Sequence, residues 1–328
     1  MHKLRFRWVT AAVALIGLIV LVRWGWVSPE VSEADCRLSE NGAWISVDWT
    51  SREVDETAVK ELAKSAVVRK IRYFFPYTTY LKSDGTFSPT YDHAAEFVGK
   101  FRRFNHEVRL LAWIGIPLAN DSPVGVKGWV NLDDRATRAK IAALAAELVD
   151  KEGFDGIHLD VETVRNDDPN FLLLLEEVKS AIGPEHMASV AGSHWTPAFL
   201  NGLPPRGLRW TDLYYQSVAE RVDQIATMTY DSYAPHPAIY RLWLREQVRG
   251  ISRSLSNSGA TLLWGISVSR EDTLSHRPGA ENLSSGLAGI CAGLSGLPEP
   301  NPAVRGVAIY ADWEFMPTDQ QIWDEWQR

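Results

Sequence analysis

Gly153-Phe154-Asp155-Gly156-Ile157-His158-Leu159-Asp160-Val161-Glu162 opens on a glycine turn and then alternates strictly. Ile157, Leu159 and Val161 are apolar, and His158, Asp160 and Glu162 fall between them. Strand side chains repeat with a period of two, so the three polar residues share one face and the three apolar residues the other. An amphipathic edge strand with a wet polar face would show the same alternation. Helical patterns flank this stretch on both sides, however, as in a βαβ unit. The apolar face then packs on a covering helix, and the polar row points into the centre of a sheet or barrel. Two acids and an imidazole are costly there unless they are paired or put to chemical use.

Working outward, eight strand-like segments recur, at 43–48, 70–75, 108–114, the opening stretch 153–162, 187–192, 224–230, 261–267 and 306–311. Helical patterns follow them at 55–65, 92–104, 135–151, 170–182, 211–221, 238–256 and 282–294, with a last helix from Asp319. Such alternation predicts a parallel sheet. Eight units over residues 43–328 suit a single-domain α/β fold, the (β/α)8 TIM barrel, which typically needs about 250 residues. An open doubly wound sheet would usually carry a glycine-rich turn after an early strand, and Ile45-Ser46-Val47-Asp48-Trp49-Thr50 has none. In a barrel, functional residues sit at the C-terminal ends of strands. Trp49, Phe75, Tyr77, Glu162, Tyr230, Asp231 and Trp313 are expected there.

Asp155-Gly156-Ile157-His158-Leu159-Asp160-Val161-Glu162 resembles the DxxDxDxE signature of glycoside hydrolase family 18, the chitinases and related N-acetylglucosaminidases. Asp155, Asp160 and Glu162 match three of its acidic positions, and His158 stands where the family has Asp. Met228-Thr229-Tyr230-Asp231 is similar to the family's MxYD, and Ile309-Tyr310-Ala311-Asp312-Trp313 to its last strand with a terminal Trp. The SxGG expected on the third strand is missing, and Leu111-Ala112-Trp113-Ile114-Gly115 occupies that region. The resemblance spans roughly residues 43–328 and describes a divergent member.

The resemblance implies an activity and a division of labour. Glu162 would be the general acid, and the substrate's own 2-acetamido carbonyl the nucleophile. Asp160 would orient the acetamido N–H, and Tyr230 would bond its oxygen. Asp231 would contact the sugar or support Glu162, with Trp313 beneath the ring. Trp49, Phe75 and Tyr77 would line the sugar cleft. His158, in place of an acid, is expected to donate a hydrogen bond to Asp160, and Asp155 to support the motif. The spacing agrees: Asp160 and Glu162 are two residues apart on one face, about 6.5 Å between Cα atoms. They cannot easily straddle a sugar ring as an ordinary retaining pair does. The expected substrate is a β-linked N-acetylhexosamine polymer, chitin-like or cell-wall glycan. Two rivals are a non-catalytic carbohydrate-binding barrel of the same family and a glycosidase of another clan. The terminal acid Glu162 speaks against the first, since sugar-binding relatives usually lose it.

Composition bounds the partners. A net charge of −7 argues against nucleic acid. Fourteen Trp is a high count, and aromatics at such density line sugar subsites or fill cores. No cofactor is expected, and the eight His show no metal-ligand spacing. At the N-terminus Lys3, Arg5 and Arg7 precede an apolar run from Val9 to Val22, with Trp24 and Trp26 behind it. Residues 1–27 are expected to be a signal anchor, or a signal peptide if cleaved, with 28–42 as linker. The domain would then be extracytoplasmic and held to the membrane, or secreted. Cys36 and Cys291 can pair in an exported protein, and the strands beside them would be neighbours in a closed barrel. The alternative is two free thiols.

Overall fold

The computed structural model describes residues 36–119, 128–201, 208–297 and 301–328. The expected anchor at 1–27, and the linker up to residue 35, lie outside these residues. No helix among the described residues is long and apolar enough to cross a membrane.

Eight parallel strands close into a barrel in sequence order. They are β1 (Asn41–Ile45), β2 (Ile71–Tyr80), β3 (Arg109–Pro117), β4 (Gly156–Glu162), β5 (Met187–Gly192), β6 (Gln224–Thr227), β7 (Thr261–Ser267) and β8 (Val304–Tyr310). Each is followed by one main helix: α1 (Glu56–Val68), α2 (Ala94–Arg102), α3 (Arg135–Asp150), α4 (Pro169–Ile182), α5 (Asp212–Ala219), α6 (Pro237–Ser254), α7 (Leu283–Leu294) and α8 (Pro317–Gln327). Gly42 and Ala43 of β1 pair with Ala308 and Ile309 of β8, which closes the ring. The chain is therefore a (β/α)8 barrel.

Local chemistry sets the helix starts. Asp134, Asp168 and Asn282 cap α3, α4 and α7 by accepting backbone N–H groups with their side chains. The period of two then sorts each strand. One set of side chains joins the large apolar layer between barrel and helices, including Ile157, Leu159 and Val161 of β4. The other set fills the barrel, where Trp44, Tyr73, Phe75, Leu111, Trp113 and Leu263 form a separate cluster. Each large side chain buried this way contributes roughly 1.5–3 kcal/mol. Four of these six residues, Trp44, Tyr73, Phe75 and Trp113, are aromatic and come from β1, β2 and β3.

Several strands differ from expectation. β1 starts at Asn41, inside the expected linker, and ends at Ile45, three residues early, while β3 runs on three residues to Pro117 and β8 starts at Val304, two residues early. β2 continues five residues past Phe75, to Tyr80. Pro76 lacks an N–H, yet the ladder carries through it, with Pro76 opposite Ile45. β6 ends at Thr227, three residues early. Side chains hold the chain beyond it instead: Thr229 Oγ1 donates to Gly265 O at 2.7 Å and the Tyr240 hydroxyl to Thr229 O at 2.8 Å. Cys36 and Cys291 are joined by a disulfide, with Cα atoms 5.2 Å apart. It ties the segment before β1 to α7.

Candidate active site

The polar row of β4 climbs from the barrel interior to its C-terminal rim. His158 is fully buried, Asp160 partly buried, and Glu162 reaches the exposed rim. Register with β3 places Trp113 beside His158, Gly115 beside Asp160 and Pro117 beside Glu162. A cleft of about 270 Å³ opens here, lined in part by Glu162, Tyr230, Asp231, Met228, Trp210 and Trp243.

Asp160 Oδ2 accepts a hydrogen bond from Trp113 Nε1 at 2.9 Å, while its Oδ1 is buried without a partner among the described residues. Burial pushes the Asp160 carboxyl above the usual carboxylate range, and the Trp113 bond offsets this in part. Glu162 is pushed further up. The Asp160 charge is the first cause, then burial in the cleft wall, then the Asp231 charge. Each carboxyl is held above its usual range and the Asp160 charge acts on Glu162, so the two titrate as a coupled pair that keeps a proton more firmly than a free carboxylate does.

Three aromatic hydroxyls surround the pair. Tyr230 is buried and stacks on Tyr310, with ring centroids 5.0 Å apart. His194 holds its backbone, with Nε2 2.8 Å from Tyr230 O. A Cβ at Gly265 would stand 2.0 Å from Thr227 O and 3.2 Å from the Tyr230 ring, so only glycine lets β7 pass beneath this segment. Tyr77 and Tyr310 are both pushed up to about 12, first by burial and then by the Asp160 charge. Tyr77 meets the Trp113 ring edge-on at 4.6 Å.

Several sequence expectations change. His158 does not bond Asp160. Its Nε2 accepts from Trp44 Nε1 at 3.0 Å, its Nδ1 pairs with Ser189 Oγ at 2.9 Å, and that hydroxyl passes its own hydrogen to Gln224 Oε1 at 2.9 Å. This fixes a neutral imidazole with the hydrogen on Nδ1. Side chains on one strand face lie parallel, so the ring meets its cross-barrel neighbours rather than Asp160 above it. Phe75 is also below the cleft, fully buried and stacked on His158 at 4.2 Å, because β2 runs five residues past it. Trp49 leaves the barrel on the helical turn Asp48–Ser51 and packs on Phe97 of α2, 5.5 Å away. Asp155 precedes β4 at the opposite end of the barrel, where it pairs with Arg102 and accepts from Leu110 N at 2.7 Å. Trp313 stands just past β8, half-exposed and edge-on to Tyr310 at 6.0 Å.

Trp113, Tyr310, Trp210 and Trp243 were not singled out by sequence reasoning. Trp113 occupies the region of the missing SxGG, and that departure was the one available signal. Trp243 sits on α6 at a helical spacing that looks like ordinary core.

His158 leaves a thermodynamic signature. Burial alone drives its pKa down to about 3. An unfolded histidine titrates near 6.5. Between those values the unfolded chain binds a proton that the folded chain refuses, so stability falls as the pH drops through that window. The loss at pH 5 from this residue is about 2 kcal/mol. His158→Gln keeps a donor and an acceptor but cannot titrate. Urea unfolding at pH 7 and pH 5 should show a drop smaller by that amount in the variant; an equal drop in both proteins would contradict the neutral buried ring.

A closed parallel barrel with two acids, Asp160 and Glu162, on one face at the C-terminal end of β4 has the build of a glycosidase-like (β/α)8 protein. Residues 54–264 match the model of the family described as Glycosyl hydrolases family 18, and the chain belongs to that family. Among solved structures, the spore cortex-lytic enzyme SleL of Bacillus cereus superposes over 89% of this chain and 74% of its own, with TM-score 0.59 and 13% identity. A class V chitinase from Pseudomonas fluorescens superposes over 88% and 99%, with TM-score 0.59 and 13% identity. A chitinase from Chromobacterium violaceum does so over 88% and 98%, with TM-score 0.56 and 13% identity. At such identity these likenesses speak for the fold. No curated protein matches the chain by sequence.

Proposed function

We propose that this chain hydrolyses β-linked N-acetylhexosamine polymers, of the chitin or cell-wall glycan kind, by a substrate-assisted retaining mechanism. The observation that carries this reading is the placement of Asp160 and Glu162 on one face of β4, with Glu162 in the cleft lining, where the Asp160 charge and burial favour its protonated form. Glu162 gives that proton to the glycosidic oxygen as its bond to the anomeric carbon breaks. The substrate's acetamido carbonyl oxygen forms the new bond to that carbon, giving a cyclic oxazolinium. Water then opens the ring, with the Glu162 carboxylate taking its proton. The unpartnered Oδ1 of Asp160 has room in its hydrogen bonding for an acetamido N–H, and its charge offsets the oxazolinium. The Tyr230 hydroxyl donates to the acetamido oxygen. Trp313 and Tyr77 supply apolar faces for sugar rings, and Asp231 a polar contact.

The test is product analysis after incubation with chitooligosaccharides and with peptidoglycan, with and without a thiazoline analogue of N-acetylglucosamine. The analogue mimics the cyclic intermediate and should inhibit competitively. An active enzyme that ignored it at millimolar concentration would point to two carboxyls acting across the bond. A protein that bound the oligosaccharides without cleaving them would be the sugar-binding barrel instead.

We also place the domain outside the cytoplasm, held by residues 1–27. The basic, apolar and Trp-flanked composition of that segment supports this, as does the Cys36–Cys291 disulfide, since such bonds persist in oxidising compartments. Protease accessibility of the domain on intact cells would check the orientation.

A further inference from the structure

Three electron-rich side chains meet where the cleft wall joins the loop between β7 and α7. Asp231 follows β6 on the cleft side, and His276 and Glu281 come from that loop. His276 Nδ1 lies 4.0 Å from Asp231 Oδ1 and 3.5 Å from Glu281 Oε2. One ligand atom from each of the three falls within 4.8 Å of the others. The Glu281 side chain is 0% exposed and that of His276 5%. Even so, His276 Nδ1 and Glu281 Oε2 are both buried without a hydrogen-bond partner among the described residues.

The far sides of both groups are already engaged. Glu281 Oε1 accepts from Ser232 N at 3.0 Å and from Ser232 Oγ at 2.7 Å. His276 Nε2 lies 3.2 Å from Ser269 O. A carbonyl oxygen only accepts, so Nε2 carries the hydrogen, and a neutral ring turns the bare lone pair of Nδ1 towards two carboxylates. That arrangement is repulsive unless a cation sits among the three atoms. A proton on Nδ1 is the simplest such cation, and the neighbouring Glu281 and Asp231 carboxylates favour it, yet at 3.5 Å and 4.0 Å its contacts to them are long. A metal ion can accept from all three atoms at once.

We infer that Asp231, His276 and Glu281 form a binding site for a divalent transition-metal cation of the zinc class. One imidazole nitrogen with two carboxylate oxygens suits such ions better than magnesium or calcium. Zinc bonds of about 2.0–2.2 Å put tetrahedral ligand atoms roughly 3.4 Å apart. The His276–Glu281 separation is already near that value. Asp231, whose side chain is 50% exposed, has the freedom to swing in. The Ser232 and Ser269 bonds hold Glu281 and His276 from behind, as outer partners do in metal sites. Histidine spacing gave no hint of this, because the ligands come from two segments 45 and more residues apart, as 276 − 231 shows.

The test is calorimetric titration of metal-free full-chain protein with zinc, then with magnesium, with no substrate present. Binding is thus read apart from catalysis. The expected result is one zinc per chain, no comparable magnesium binding, and affinity weakened by about tenfold or more in His276→Ala and in Glu281→Gln. Circular dichroism reports whether each variant folds; if Glu281→Gln does not, His276→Ala decides. No zinc binding up to millimolar concentration would overturn the inference and leave an imidazolium ion pair only. An unchanged isotherm in the folded variants would also overturn it, assigning the zinc to surface groups.

Discussion

Glu162→Gln is expected to lower kcat on an N-acetylglucosaminide by about two to four orders of magnitude, the range that a positioned general acid contributes. The amide keeps the size of the side chain and cannot supply the proton. Glu162 is at the exposed end of β4, so the fold should be unaffected and oligosaccharide binding should survive. Kinetics and equilibrium binding on the same preparation separate the two effects. Near-normal turnover in the variant would show that another group protonates the leaving oxygen. A leaving group that needs no protonation, such as a dinitrophenolate, should recover part of the rate.

Asp160→Asn should be almost as damaging, and its signature is a displaced pH profile. The Asp160 charge is the first cause of the raised Glu162 pKa. Without it, Glu162 loses its proton at lower pH. The proposed mechanism requires the protonated acid, so the basic limb of kcat against pH should move towards lower pH. The rate at the optimum should also fall by about a hundredfold or more, because an amide neither balances the oxazolinium nor accepts the acetamido N–H as strongly. The comparison is kcat across pH for the wild type and the variant. A lower rate with an unmoved basic limb would mean that Glu162 owes its proton to burial alone. Trp113→Phe supplies a finer check, since it removes only the 2.9 Å bond to Asp160 Oδ2.

The divergence on β3 and β4 has a common physical cause. His158 is wider than a carboxyl group and is an aromatic ring. It stacks on Phe75 and meets Trp44 edge-on at 5.6 Å, so the base of the site becomes a packed aromatic layer. With the imidazole bonded to Trp44 and Ser189, Asp160 takes its only hydrogen bond among the described residues from Trp113. The departures at His158 and in the missing SxGG region thus form one structural unit.

The sequence by itself determined the barrel, its eight units, and the face of β4 on which His158, Asp160 and Glu162 lie. Strand and helix periodicities are local properties of the chain, and eight alternations leave few ways to bury every apolar face. It also placed Glu162, Tyr230, Asp231 and Trp313 at or just beyond the C-terminal ends of strands. Tertiary structure alone decided what each side chain meets. Trp113 reaches Asp160 across a strand pair and Trp44 reaches His158 across the barrel, 114 residues apart in sequence. Phe75 sinks into the core because β2 runs on past it, and Trp49 turns outward on one helical turn. Asp231, His276 and Glu281 converge only because β6 and β7 are neighbours in the ring. Such contacts depend on where strands end and how the barrel closes, and periodicity within a single segment carries no record of either.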